Sequence, residues 1–447
     1  MSKNTWKWIS ITILVIVSIV AGNLIGETAS QKTGFVILVL VGGLWVSELI
    51  PLTITALMVP MLAYFTGVFE AKEALSYFAH PIIYVFLGGF ALATVLNQHG
   101  IDRWLASKMV HLSRGNIRVA IIAFLATASF LSMWMSNTAT TAMMLPIGMS
   151  LVDKKYPRAR IFVILGTAYA ANIGGLATIV GSPPNLIAAA ALNIDFLTWM
   201  KFGLPFTILF FPVLMFVLKW VIRPEKDFQL NSVGKRSPWS VQKSKATGYF
   251  FFIVSLWILS KPISDLLDVK SFDSMVGVAA AVLAPVLGLT SWVQLEKKVN
   301  WGVLFLFGGG LCLSALLGVT GTSEFLAAKI TANIHEGQGL LLILVTATFM
   351  ILLTEISSNT GSAAILVPIM MEVARQFDPS YMLPMIMAVG ISANCAFMLP
   401  VATPPNALAY ATNELKMKQM MRVGIVLNLL AIPLVWLITT KNLWNIF

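Results

Sequence analysis

The chain has 447 residues, of which 58% are hydrophobic and only 11% charged. Soluble globular proteins carry roughly 25% charged residues, and a soluble chain of this length would lack the charges to cover its domain surfaces. The net charge of +11 does not point to nucleic acid, because the basic residues sit in short loops between apolar blocks, where they act as a topology signal.

Lys3 and Lys7 precede the first apolar run in the manner of a signal peptide, but no small-x-small cleavage site follows, so the run reads as a retained first helix. Spans are expected near 9–25, 34–50, 52–68 and 81–98. Residues 117–152 are apolar but interrupted by Ser136-Asn137-Thr138. Segments near 161–192, 203–222, 247–263, 274–291 and 301–319 follow. Residues 339–371 repeat the interruption at Ser358-Asn359-Thr360, and the last segments lie near 382–411 and 421–441. Cys312 and Cys395 lie inside apolar segments and make neither a disulfide framework nor a zinc site, and His80, His99, His111 and His335 are scattered without metal-ligand spacing.

Charge decides how these segments cross. Let the N-terminus lie inside, let each full segment cross once, and let both interrupted segments return to the side they entered from. Arg103, Lys108, Arg114 and Arg118 then lie inside, as do Lys154, Lys155, Arg158 and Arg160. So do Arg223, Lys226, Lys235, Arg236, Lys243 and Lys245, then Lys297 and Lys298, and finally Lys416, Lys418 and Arg422. The outer loops are mixed or acidic, with Glu27, Glu70, Glu73, Asp265, Asp268, Asp273 and Glu324. The positive-inside rule holds at every long inner loop. Making either interrupted segment a full crossing flips everything after it, so both are expected to be re-entrant hairpins.

The halves repeat. SNTATTAMMLPI at 136–147 matches SNTGSAAILVPI at 358–369, VFLGGFAL at 85–92 resembles LFGGGLCL at 306–313, and GSPPN at 181–185 resembles ATPPN at 402–406. Three blocks in one order at one spacing are a repeat, and the expected topology turns the second copy upside down. The fold class is therefore an all-α polytopic membrane protein of about 11 transmembrane helices plus two re-entrant hairpins, in an inverted-topology repeat of the kind many secondary transporters use.

Irregular backbone at membrane depth survives only where protein or a water-filled cavity surrounds it. The Ser-Asn-Thr motifs suit hairpin tips, since short polar side chains cap helix N-termini. Pro183-Pro184 and Pro404-Pro405 must break their helices, with Asn185 and Asn406 beginning new half-helices. Helix N-termini suit anions, whereas hydroxyls, amide oxygens and unwound carbonyls suit a hard cation. Asn137 and Asn359 can serve both. Ser132 and Thr354, one turn before the tips, can add oxygens. Gly88-Gly89 and Gly308-Gly309-Gly310 read as close-packing positions. No lysine or arginine lies in either motif block, so a bound dianion would need co-bound cations. No nucleophile–base pair and no phosphate-binding loop emerges, which points to neither an enzyme nor an ATP-driven pump.

With these motifs in place, the chain resembles the divalent anion/sodium symporter family, which includes bacterial and animal dicarboxylate and citrate carriers of the INDY type. The resemblance covers nearly the whole chain. It implies a homodimer in which a scaffold stays fixed while a transport domain moves as an elevator. It also implies one sodium site at Ser132, Ser136, Asn137 and Gly181, and a second at Thr354, Ser357, Asn359 and Ala402. Substrate would contact Asn137, Thr138, Ser182, Ser358, Asn359, Thr360, Thr403 and Pro404. Residues 1–116 and 223–338 would form the scaffold, with interfacial arms at 101–116 and 321–337. Residues 117–222 and 339–447 would form the transport domain. The expected function is sodium-coupled symport of succinate-like C4-dicarboxylates across the bacterial inner membrane, with no cofactor beyond co-transported Na+, the N-terminus cytoplasmic and the C-terminus periplasmic. A sodium-independent exchanger, a proton-coupled carrier or a citrate or sulfate carrier of the same fold is the alternative, and an anion channel the alternative of a different class.

Overall fold

A computed structural model of the chain describes residues 3–112, 116–225, 238–332, 334–335 and 337–440. Arg114, Lys226, Lys235, Arg236, the distal end of the first expected arm and residue 441 lie outside the described residues. Among the described residues the chain is helical, with no strand.

The expected spans appear in order. Helices run over Lys3–Ile25, Ala29–Ser47, Leu52–Phe65 and Ile82–Gln98, then, after the first repeat's remaining elements, over Val241–Ile258, Phe272–Val286 and Trp301–Val319. The first interrupted segment is two helices, Ile117–Ser132 and Asn137–Leu151, and the second is Gly339–Ile356 and Asn359–Phe377. At 1.5 Å per residue the first pair is about 24 and 22 Å long, short of the roughly 30 Å of hydrocarbon. Both Pro-Pro helices are broken as expected, into Pro157–Gly174 and Pro183–Leu192 and into Met382–Ser392 and Pro404–Tyr410. Long helices, Phe196–Ile222 and Met417–Thr440, close the halves, and the helices Ile101–Leu112 and Thr322–Thr331 occupy the expected arms.

Seven helices among the described residues are long and apolar enough to cross a membrane, or eight if Val241–Ile258 and Ser260–Leu267, bent by 61°, count as one span. The other expected crossings fall to shorter or broken helices. Large apolar side chains, among them Phe65, Phe216, Leu266 and Val286, are exposed, which suits a surface facing lipid.

The helices pack closely on one another, and two groups of contacts bear on the site. Ile82–Gln98 packs on Phe272–Val286, and Leu52–Phe65 on Trp301–Val319. Both arms of the first hairpin pack on Pro157–Gly174, and Phe196–Ile222 packs on Met417–Thr440. Glycine sets the closeness of the first group, where the carbonyl of Tyr84 lies 2.1 Å from the point that a Gly277 Cβ would occupy, and a Cβ on Gly88 would meet Gly277 Cα at 2.6 Å. Gly309 likewise lies against the Ala56 backbone. Between the groups runs an aromatic stack. The Phe196 and Trp257 rings lie 5.0 Å apart at 16°, and Trp134 stacks on Phe196 at 6.2 Å.

A buried arginine ties the repeats together. Arg160 donates through Nη1 to the carbonyls of Met149 and Val152, at 2.8 and 2.7 Å, and through Nε and Nη2 to the Glu414 carboxylate. Hydrogen bonding from Arg160 holds the Glu414 carboxyl below its ordinary pKa. The first hairpin's end is thereby fixed to the loop after the second broken helix.

The close approach gives a direct test. Gly277→Val forces a side chain into backbone, so it should destabilise by about 1–3 kcal/mol. The thermal midpoint of the detergent-purified protein should fall, whereas Gly248→Ala, inside a helix and meeting nothing within 4 Å, should leave it unchanged or slightly raised.

Candidate functional site

The two hairpin tips and the two helix breaks meet at one cavity of about 780 Å³. Ser136, Asn137 and Thr138 line it from the first tip, and Ser358, Asn359 and Thr360 from the second. Gly181, Ser182, Ala402, Thr403 and Pro404 line it from the breaks, so every residue expected to contact substrate is at the cavity wall. Ser132 and Thr354 lie behind the wall and are buried. Ser357 does not line the cavity. Its hydroxyl donates to Leu353 O at 2.8 Å and shares a short hydrogen bond with Ser362, and Ser358 occupies the place that Ser136 has in the first half.

The repeat is written in hydrogen bonds. Ser136 Oγ accepts from Ala139 N at 3.2 Å, and Ser358 Oγ from Gly361 N at 3.4 Å, so each serine caps its tip's second helix. Ser132 Oγ lies 2.7 Å from the Asn137 amide, and at the equivalent place Thr354 donates to Asn359 Oδ1 at 2.5 Å. Each break is held by the asparagine after its proline pair. Asn185 donates to the carbonyls of Gly175 and Thr178, at 2.8 and 2.7 Å, and Asn406 to those of Ala396 and Leu399, both at 3.0 Å. All four carbonyls lie in the irregular turns of the breaks, where Thr178 O also accepts from Gly181 N at 3.4 Å and Leu399 O from Ala402 N at 3.2 Å, so the asparagines close the turns that the ladder does not.

The Asn137 amide can be seated in two ways. One places Oδ1 among oxygens. The other turns the NH2 group toward Ser132 Oγ at 2.7 Å, Gly181 O at 3.2 Å and Ala171 O at 3.3 Å. Around this one side chain, three oxygens from three elements therefore converge.

Three groups of functional interest escaped the sequence reading. Asn172 and Asn394 stand before the breaks and cross between the halves, Asn172 donating to Thr403 and Asn406, and Asn394 to Asn185. Their signal was present as Ala-Asn pairs at 171–172 and 393–394, at the repeat spacing. Glu355 is the single acid of residues 339–371 and is 4% exposed. Its carboxylate accepts from the backbone N–H groups of Phe397, Met398 and Leu399 at 2.7–3.1 Å and from the Asn428 amide at 2.6 Å. Tyr169 donates to the carbonyl of Phe397 at 2.6 Å, completing that turn. The first half has Met133 at the position of Glu355. Third, Glu48 lines the cavity and is the one charged side chain that does so among the described residues. It ends Ala29–Ser47 with a left-handed backbone, φ 48°.

No nucleophile and base are paired at this cavity, and among the described residues no group of three or more His, Cys, Asp or Glu is placed to hold a metal. The arrangement is a chamber with polar hairpin tips and helix breaks set in a largely apolar wall, built from two matching halves, in a helical body with a lipid-facing surface. That is a secondary transporter.

The comparisons agree. A citrate transporter family profile matches residues 43–380 and 275–445, and the chain belongs to that family. It is 41% identical over 427 residues to an uncharacterized transporter of Haemophilus influenzae, covering 92% of each chain. It is 40% identical to one of Methanocaldococcus jannaschii, over 90% of this chain and 92% of that one. At 29% identity, over 88% of this chain and 82% of the relative, it is similar to the sodium-dependent dicarboxylate transporter SdcS of Staphylococcus saprophyticus. Among solved structures, the YdaH transporter of Alcanivorax borkumensis shares the fold, with a TM-score of 0.55 at 13% identity, over 82% of this chain and 86% of that one. The resemblance to the divalent anion/sodium symporters is thus borne out, and the protein is a transporter and not an enzyme.

Glu355 gives the site's structural test. Glu355→Ala leaves three backbone N–H groups and the Asn428 amide without their acceptor, at about 1–3 kcal/mol for each buried group left unpaired. The thermal midpoint should drop sharply, and Glu355→Gln, which keeps one acceptor oxygen, should fall between. An unchanged midpoint in Glu355→Ala contradicts this role.

Proposed function

We propose that the protein is a sodium-coupled importer of small dianionic carboxylates of the C4 class. The observation that carries the proposal is the single cavity in which two oxygen-rich hairpin tips meet and which no lysine or arginine lines among the described residues. A dianion held there by amides, hydroxyls and helix N-termini is uncompensated unless cations bind beside it. The oxygens around Asn137 are the ligand type sodium takes, and Ser132, Ser136, Asn137 and Gly181 form the first proposed site. Thr354, Asn359 and Ala402 form the second, with the Ala393 carbonyl, to which Thr354 donates at 3.0 Å. Ser357, turned away, contributes at most through its backbone. Asn137, Thr138, Ser182, Ser358, Asn359, Thr360, Thr403 and Pro404 would hold the substrate, and the helices Asn137–Leu151, Pro183–Leu192 and Asn359–Phe377 begin beside it.

On the scaffold side, Glu48, Leu52, Asn300 and Val303 bound the cavity. With the basic loops in the cytoplasm, these residues lie at the cytoplasmic ends of their helices, so the cavity faces inward. The proposed transport domain comprises both hairpins, both broken helices, Phe196–Ile222 and Met417–Thr440. It would slide against the remaining helices, which form the scaffold and the homodimer contact. The similarity to SdcS supports sodium and dicarboxylate together, and the family's name keeps citrate as the second substrate to test.

Asn137→Ala and Asn359→Ala should each abolish most sodium-driven succinate uptake in proteoliposomes and raise the sodium concentration needed for half-maximal rate. Full uptake with choline in place of sodium, and no proton gradient, refutes the coupling.

Orientation is tested separately. A cysteine replacing Gln242 should react only with reagent supplied from the cytoplasm, and one replacing Glu324 only from outside; the native Cys312 and Cys395 are buried. Reversed sides, with the Gln242 replacement reached only from outside and the Glu324 replacement only from the cytoplasm, rule out a returning first hairpin.

A further inference from the structure

Ser182 and Thr403 occupy equivalent positions, each directly before its proline pair, and both line the cavity. A symmetric site would present the same group twice. The hydrogen-bond chains behind the two hydroxyls make them opposite.

In the first chain, the Asn185 NH2 group is committed to Gly175 O and Thr178 O, at 2.8 and 2.7 Å. Its Oδ1 must therefore face the Asn394 NH2 group, which donates to it at 2.9 Å and to Gly390 O at 3.0 Å. Asn394 is left with Oδ1 toward Ser182, and the Ser182 hydroxyl donates its hydrogen there in a short bond. A hydroxyl has one hydrogen and two lone pairs. Toward the cavity, Ser182 offers lone pairs alone.

In the second chain, the Asn406 NH2 group is committed to Ala396 O and Leu399 O, both at 3.0 Å. Its Oδ1 accepts from Asn172 Nδ2 at 3.2 Å, and the same Nδ2 donates to Thr403 Oγ1 at 3.1 Å. Thr403 Oγ1 also accepts from Asn406 N at 3.2 Å, capping its half-helix, a bond that Ser182 does not make. Both Thr403 lone pairs are thus used. No described residue takes its hydrogen, which remains for a ligand. The four amides involved are buried, so these assignments are not open to rearrangement by solvent.

From this opposition we infer that the site distinguishes the two ends of its substrate: Thr403 donates to a carboxylate, and Ser182 accepts from a hydroxyl on the substrate, so that a 2-hydroxydicarboxylate such as malate is preferred to succinate. A carboxylate set against Ser182 would meet lone pairs with lone pairs, whereas a carbon-bound hydroxyl supplies the missing hydrogen. The inference rests on the dicarboxylate reading above and adds the substrate's substituent. Asn394 is the positioning residue: it does not line the cavity, and it acts by fixing the Ser182 hydrogen.

The test is competition against sodium-driven uptake of labelled succinate in proteoliposomes. Malate should inhibit at a concentration roughly three- to tenfold below that of unlabelled succinate, the value of one net hydrogen bond. Asn394→Leu frees the Ser182 hydrogen and should bring that ratio toward one. Ser182→Ala removes the acceptor by a separate route and should do the same, which covers the case in which the Asn394 variant does not fold. Thr403→Val should weaken inhibition by both acids together. Equal or better inhibition by succinate in the wild type, or a ratio that persists in whichever of the two variants folds, overturns the inference and leaves the dicarboxylate reading standing. Absence of sodium-driven succinate uptake overturns both.

Discussion

The constraint on which the rest of this molecule depends is that backbone polar groups inside a membrane must be paired. Two helices are opened at proline pairs, and each opening leaves carbonyls and N–H groups outside the regular ladder, buried in the protein. The asparagine after each proline pair takes two of the freed carbonyls, and Glu355 takes three of the freed N–H groups in the second break. The openings persist because these side chains replace the missing ladder. In doing so they fix the orientation of every amide next to them. The chemistry presented to the cavity therefore follows from the repair of the backbone.

The two halves match at most of the hydrogen bonds around the cavity and part at a few positions. Caps, tip hydroxyls and break staples are paired nearly atom for atom. Met133 stands opposite Glu355, however, and a non-capping Ser182 opposite a capping Thr403. A small substrate with unlike ends cannot be served by identical halves. Duplication supplies the frame, and a few substitutions supply direction.

Much of this was legible in the sequence because it is local. A polar triplet inside an apolar block has few places to go except a hairpin tip, and two adjacent prolines end a helix whatever surrounds them. The loop charges then decided which segments return. Ser357 shows the limit: its neighbour Ser358 has the same side chain, and only the helical phase of the tip decides which of them faces the cavity. The contacts from Arg160 to Glu414, Asn172 to Asn406 and Glu355 to Asn428 join residues far apart in the chain, so no window of sequence contains them. Glu355 could have been noticed even so, since a lone acid in an apolar block is costly unless it has a purpose.

The charge balance of the cavity bears on why a carrier of this kind would use amides where a soluble binding protein uses arginine. A guanidinium would attract the dianion at all times. Here the one charged side chain lining the cavity among the described residues is acidic, at Glu48. It disfavours an anion alone and favours a cation. On the proposed sodium coupling, the dianion binds well only after the cations have reversed the local charge, and by linkage it holds those cations more tightly in return. Coupling then needs no dedicated gate residue. It follows from a site whose fixed charge repels its own substrate until the co-substrate arrives, and an arginine placed there would strengthen binding while weakening the dependence of transport on the ion gradient.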